Sequence, residues 1–114
     1  LVAWKAVGNA SEIAMIKFCQ PFRDVDEYRS ANPNLFKIPF NSKNKYQVHV
    51  VKQEDKPEGE RLVVMKGAPE RIIDRCSEVL LGGRVVPMTP ELQAEIEAHQ
   101  ETLSRNGLRV LGCA

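Results

Sequence analysis

Two short runs of alternating side chains, residues 35–40 and 45–52, are separated only by the polar turn Asn41-Ser-Lys-Asn44. Alternation puts Phe36, Ile38 and Phe40 on one side of the first run, and Tyr46, Val48 and Val50 on one side of the second. A turn this short returns the chain beside itself, so the two strands it joins pair antiparallel. Pro39 cannot donate to a ladder, which puts the first strand at an edge or a local break. A β-branched third run, residues 61–66, follows an exposed polar loop, 53–60, that carries Pro57 and Gly59.

Helical signals flank these strands. Asn9 reads as an N-cap with Glu12 three residues on, Ile13, Ile16 and Phe18 or Cys19 supply an apolar face, and Pro21 ends the helix. A weaker helical stretch covers residues 24–31. Gly67-Ala-Pro-Glu70 turns the third strand into a helix with Pro69 in its first position and Ile72, Ile73, Cys76 and Val79 as its buried stripe. Gly82-Gly83 marks a turn, and residues 84–86 read as a short strand. Thr89 caps the strongest helix, with Leu92, Ile96 and Leu103 inward and Gly107 as its stop. Residues 108–113 read as the last strand. The pattern is α+β, an antiparallel β-sheet flanked by helices.

Composition narrows the function. At 114 residues, 43% hydrophobic and 27% charged, the chain has room for one modest soluble domain. A net charge of +1 gives no long-range attraction to nucleic acid. No apolar run approaches the roughly 20 residues of a membrane-spanning helix. The three cysteines, Cys19, Cys76 and Cys113, form no Cys-x-x-Cys and read as small buried thiols. With His49 and His99 isolated, no metal site is suggested. The chain opens at Leu1 and stops in an apolar, strand-like stretch, which reads as a domain truncated at both ends.

No phosphate-binding glycine motif of either standard kind, no nucleophile elbow and no zinc-protease motif occurs. The junction Lys66-Gly67-Ala68-Pro69-Glu70 joins a lysine at a strand end to a helix start, which suits an anion; an ordinary strand-to-helix turn with a solvated lysine is the commoner outcome. Phe40 with Ser42, Lys43 and Lys45 could stack a base and hold a phosphate, or Phe40 could be core like Phe36 and Ile38. By position alone, Arg109 is an alternating surface charge and Glu12 a capping residue.

Taken together, Ile38-Pro-Phe-Asn-Ser-Lys-Asn-Lys-Tyr-Gln47, Val64-Met-Lys-Gly-Ala-Pro-Glu-Arg71, Asp74-Arg-Cys76 and Leu108-Arg-Val-Leu-Gly112 resemble the nucleotide-binding domain of P-type cation-transporting ATPases. The form after Phe40 is most similar to the sodium/potassium and proton/potassium pump alpha subunits. Gly8-Asn departs from that family's Gly-Asp, and Gly112-Cys-Ala from its Gly-Phe-Cys. The element that carries its phosphorylated aspartate is not in this sequence.

The resemblance implies that Phe40 stacks on adenine and Glu12 reaches the polar edge of the base, with Ser42 and Gln47 lining the same pocket. Lys45 and Lys66 supply charge, Gly67 lets the nucleotide lie close to backbone, and Arg109 holds the ribose–phosphate end. It implies ATP as ligand, with Mg2+ arriving through the phosphates, and no catalytic residue in this segment. The partners implied are the phosphorylation and actuator domains of a parent chain and a beta subunit, at the cytoplasmic face of a plasma membrane. Residues 1–114 would then be a soluble part of one nucleotide-binding domain. The alternative class is a non-catalytic α+β interaction module whose Phe40 and lysines are structural. Single-stranded nucleic-acid binding ranks last, for want of charge.

Overall fold

The computed structural model describes residues 5–114; the opening at Leu1 lies outside them. Helices α1 (Ala10–Cys19) and α2 (Val25–Ala31) precede strands β1 (Asn34–Ile38), β2 (Tyr46–Val51) and β3 (Leu62–Gly67). Then come the short helix α3 (Pro69–Ile73), strands β4 (Glu78–Leu81) and β5 (Arg84–Pro87), helix α4 (Pro90–Arg105) and strand β6 (Gly112–Cys113). The architecture is α+β, with every strand pair antiparallel.

The main sheet runs β1-β2-β3-β6. Edge strand β1 ends at Ile38, immediately before Pro39, whose missing N–H is then no loss to the ladder. Register sets Gln47 opposite Lys66 and Tyr46 opposite Gly67. At the other edge β6 sets Cys113 opposite Lys66 and Gly112 opposite Gly67. The carbonyl and N–H of Ala114 also exchange hydrogen bonds with Met65, at 2.7 and 2.9 Å.

Helix ends follow local chemistry. Asn9 Oδ1 accepts the Glu12 N–H at 3.0 Å, and Thr89 Oγ1 accepts the Leu92 N–H at 3.2 Å. Gly107, at φ 78°, closes α4: its N–H reaches the Ser104 carbonyl and the Leu108 N–H reaches the Leu103 carbonyl. Asn32, buried at the end of α2, donates to the Tyr28 carbonyl and accepts from the Glu54 N–H, tying α2 to the segment after β2.

The core centres on α3. Ile72 is 2% exposed and Ile73 is buried beside it. A Cβ on Gly112 would lie 2.8 Å from Ile72, so β6 passes this close to α3 only because it has a glycine there.

Four sequence expectations are corrected. The α3 stripe stops at Ile73, and Val79 belongs to β4, opposite Val86. Beyond Asp74 the N–H groups of Arg75 and Cys76 bond three residues back, which tightens and ends the helix. Gly82 and Gly83, both at positive φ, form the two-residue turn that recruits residues 78–81 into a hairpin. The last strand is confined to Gly112–Cys113 rather than starting at Leu108. Cys19 and Cys113 are exposed and Cys76 half-buried, so the thiols are not core. Leu103 and Phe18, expected on apolar helix faces, are also exposed.

Candidate functional site

Between α1, the sheet and the approach to β6 lies a cleft of about 560 Å3. Every residue expected to touch a nucleotide lines it: Glu12 from α1, Phe40 and Ser42 after β1, Lys45 and Gln47 at the start of β2, Lys66 and Gly67 at the end of β3, and Arg109 before β6. Antiparallel pairing brings these distant segments together, because Gln47 and Lys66 are cross-strand partners and point to the same face.

Phe40 is not core. It is 59% exposed, and Phe36 and Ile38 are exposed as well. A phenylalanine with its ring in solvent at the rim of a cleft offers a face for stacking. Three cationic side chains, Lys45, Lys66 and Arg109, line the cleft against one carboxylate, Glu12. Such a balance favours an anion.

Glu12 does more than cap α1. Its backbone N–H is satisfied by Asn9, while its carboxylate Oε1 lies 3.5 Å from Lys66 Nζ. The pair links the first turn of α1 to the end of β3.

The junction at residues 66–70 works differently from the anion-binding helix start its sequence suggests. The Ala68 N–H donates to the Lys45 carbonyl at 2.9 Å and Pro69 has no N–H, so those two positions present no free donor. Gly67 is buried, and a Cβ there would collide with the Lys45 carbonyl oxygen and come within 2.6 Å of Tyr46 Cα. The neighbour that demands glycine is therefore the backbone of β2. Lys45 itself has φ 61°, a left-handed conformation that costs a non-glycine residue about 1 kcal/mol.

Tyr46 faces away from the cleft and lies beneath the Arg75 guanidinium, 4.9 Å from its ring centre, which joins β2 to the end of α3. The cleft also has walls that the sequence reading missed: Asn9, Ser11 and Met15 on the α1 side, and Val110 and Leu111 beyond Arg109. Met15 was findable, since it lies one turn from Glu12 on the same helix face. A neighbouring hollow of about 440 Å3 shares Gln47 and Lys66 but has no phenylalanine, tyrosine or tryptophan and no second lysine or arginine. Among the described residues no three His, Cys, Asp or Glu side chains gather, so the donor set fits a metal only when a ligand brings its own oxygens. No described helix is long and apolar enough to cross a membrane.

Residues 2–114 match the family model for the P-type ATPase, cytoplasmic domain N. The chain is 44% identical over 106 residues to the sodium/potassium-transporting ATPase subunit alpha-2 of Gallus gallus, covering 92% of this chain and 10% of that one. It is 41% identical over 109 residues to the subunit alpha-B of Artemia franciscana, covering 95% and 11%. Against the subunit alpha-4 of Rattus norvegicus it is 45% identical over 106 residues, covering 92% and 10%. The chain thus spans about a tenth of the length of the curated relatives it matches. With that match along nearly its whole length, the chain belongs to the P-type ATPase cytoplasmic domain N family.

Proposed function

We propose that this chain, residues 1–114, is part of a nucleotide-binding domain that holds ATP in the cleft between α1 and the sheet. Adenine stacks on Phe40, Glu12 takes the polar edge of the base, and Ser42 and Gln47 line its pocket. Lys45 and Lys66 supply positive charge, Gly67 lets the nucleotide lie close to backbone, and Arg109 holds the ribose–phosphate end. The γ-phosphate is presented to an aspartate elsewhere in a parent polypeptide, so this chain's work is positioning and charge neutralisation. Mg2+, held by the phosphates, adds charge neutralisation when bound.

The parent on this reading is a sodium/potassium-type pump that drives cation transport with ATP. The domain works at the cytoplasmic face of the plasma membrane, beside phosphorylation and actuator domains and with a beta subunit. Three named relatives are sodium/potassium-transporting ATPase alpha subunits, which supports that choice.

The observation that carries the proposal is the convergence of Glu12, Phe40, Lys45, Lys66 and Arg109, from separate segments, on one cleft. Affinity should be weak, on the order of 0.1–1 mM, because one stacked base and a few solvent-screened cations offset the cost of ordering the ligand. An amide NMR titration of the 114-residue chain with ATP, AMP and GTP tests it. Saturable shifts at Glu12, residues 40–47, Lys66, Gly67 and Arg109, weaker with GTP, are expected. Phe40→Ala and Lys66→Ala should each abolish binding with an unchanged circular dichroism spectrum. Binding that survives both substitutions overturns the site; a dispersed spectrum indifferent to every nucleotide means that this chain keeps its fold without the function, and the site is then tested in a longer domain.

A further inference from the structure

Asn41 lies between two residues that line the cleft, Phe40 and Ser42, yet does not line it itself. Both of its oxygens face inward on its own turn. Oδ1 accepts the Asn44 N–H at 2.7 Å, and the backbone carbonyl accepts the Lys45 N–H at 2.8 Å. The turn delivers the chain to Lys45, the one non-glycine residue with positive φ among the described residues. The Lys45 carbonyl then receives the Ala68 N–H at 2.9 Å, which locks this turn to the end of β3.

We propose that Asn41 is a positioning residue for nucleotide binding: its doubly bonded turn holds Lys45 in the left-handed conformation that keeps its ammonium on the cleft wall. The inference rests on the ATP reading above. The left-handed conformation is unfavourable for lysine, so it persists only where surrounding bonds over-determine it. Removing the side-chain acceptor leaves the Asn44 N–H without its protein partner and loosens the turn, while the backbone bonds of Lys45 to Asn41 and Ala68 remain. With one of its constraints gone, Lys45 spends more time at ordinary φ, with its side chain off the cleft wall, which lowers the fraction of molecules competent to bind. Aspartate keeps an acceptor oxygen at the same reach, and asparagine and aspartate share this local bonding habit.

The test measures ATP affinity by amide NMR titration for the unsubstituted chain, Asn41→Ala, Asn41→Asp, Lys45→Ala and the Asn41→Ala/Lys45→Ala double variant. We expect Asn41→Ala to weaken ATP roughly five- to tenfold, and Asn41→Asp to recover affinity to within about threefold. In the Lys45→Ala background the Asn41 substitution should change affinity no further. If Lys45→Ala weakens ATP while Asn41→Ala does not, or if the Asn41 effect persists undiminished without Lys45, the positioning role is wrong. If Lys45→Ala leaves ATP affinity untouched, the charge assignment in the cleft fails and takes this inference with it. Should Asn41→Ala not fold, Asn41→Ser, a weaker acceptor, must still show an intermediate loss; unchanged affinity there overturns the proposal.

Discussion

Glu12 of α1 and Lys66 of β3 lie 54 positions apart in the chain and meet at 3.5 Å, Oε1 to Nζ. The glutamate is 42% exposed and the lysine 25%, so solvent screens much of their attraction. A pair of this kind is worth about 0.2–1 kcal/mol. Glu12→Gln should therefore lower unfolding stability by less than about 1 kcal/mol, measured by urea denaturation, and the loss should shrink as salt rises from 0.05 to about 0.5 M. A loss of several kcal/mol would mean that the pair is the main anchor of α1.

Gly67 has no room for a side chain, because the added carbon would meet the Lys45 carbonyl and the Tyr46 backbone. Backbone cannot step aside as a flexible side chain can. Gly67→Ala should destabilise the chain by about 2–3 kcal/mol, seen as a lowered thermal midpoint with broadened amide signals for Lys45, Tyr46 and Ala68. An unshifted midpoint would contradict this packing.

Ile72 is the most deeply buried large side chain among the described residues, and it packs against Gly112 of β6. Ile72→Ala removes that contact and leaves a cavity, at a cost of about 3 kcal/mol. Hydrogen exchange should rise first at Gly112 and Cys113, since β6 is a two-residue strand with little else to hold it.

Acid should loosen α2 before the sheet. The hydrogen bond from Arg23, at 2.6 Å, holds the Glu54 carboxyl below the ordinary glutamate range. Asp24 is lowered too, first by the Glu27 N–H it caps and then by the Gln20 amide. A depressed folded-state pKa contributes stability above the unfolded-state value, and that contribution is lost as pH falls through the folded value. Amide protection in residues 25–31 should therefore be flat from pH 7 to 5 and fall below about pH 4. Arg23→Gln should return the Glu54 carboxyl toward ordinary glutamate values in a carbon-13 titration; an unmoved titration would exclude the Arg23 bond as the cause.

Much of the local structure is legible along the chain because its causes are local. Asn9 and Thr89 announce helix starts, since a short acceptor side chain satisfies an N–H three residues on. Gly107 announces a stop because α4 ends in a left-handed turn. Residues 74–81 misled for a related reason. Their apolar spacing fits a helix stripe, but it also fits a strand, and the Gly82-Gly83 turn with a β-branched partner run settles the choice. That signal was present in the sequence and was outweighed by helical period.

The candidate site divides along the same line. Residue order alone was enough to specify the antiparallel strands β1 to β3, the helix caps and, through its motifs, which side chains to follow. Folding in three dimensions selected which of those side chains meet. Lys66 faces α1 because β2 and β3 pair with Gln47 opposite Lys66, and a slip of one residue would turn Lys66 to the other face of the sheet. Likewise, Phe40 is exposed at the cleft rim rather than core, and the backbone of β2 by itself already requires glycine at position 67. Hydrogen bonds between near neighbours are encoded where they form. Burial, register and the 3.5 Å meeting of Glu12 with Lys66 depend on segments far apart in the chain, and only the closed fold brings those segments together.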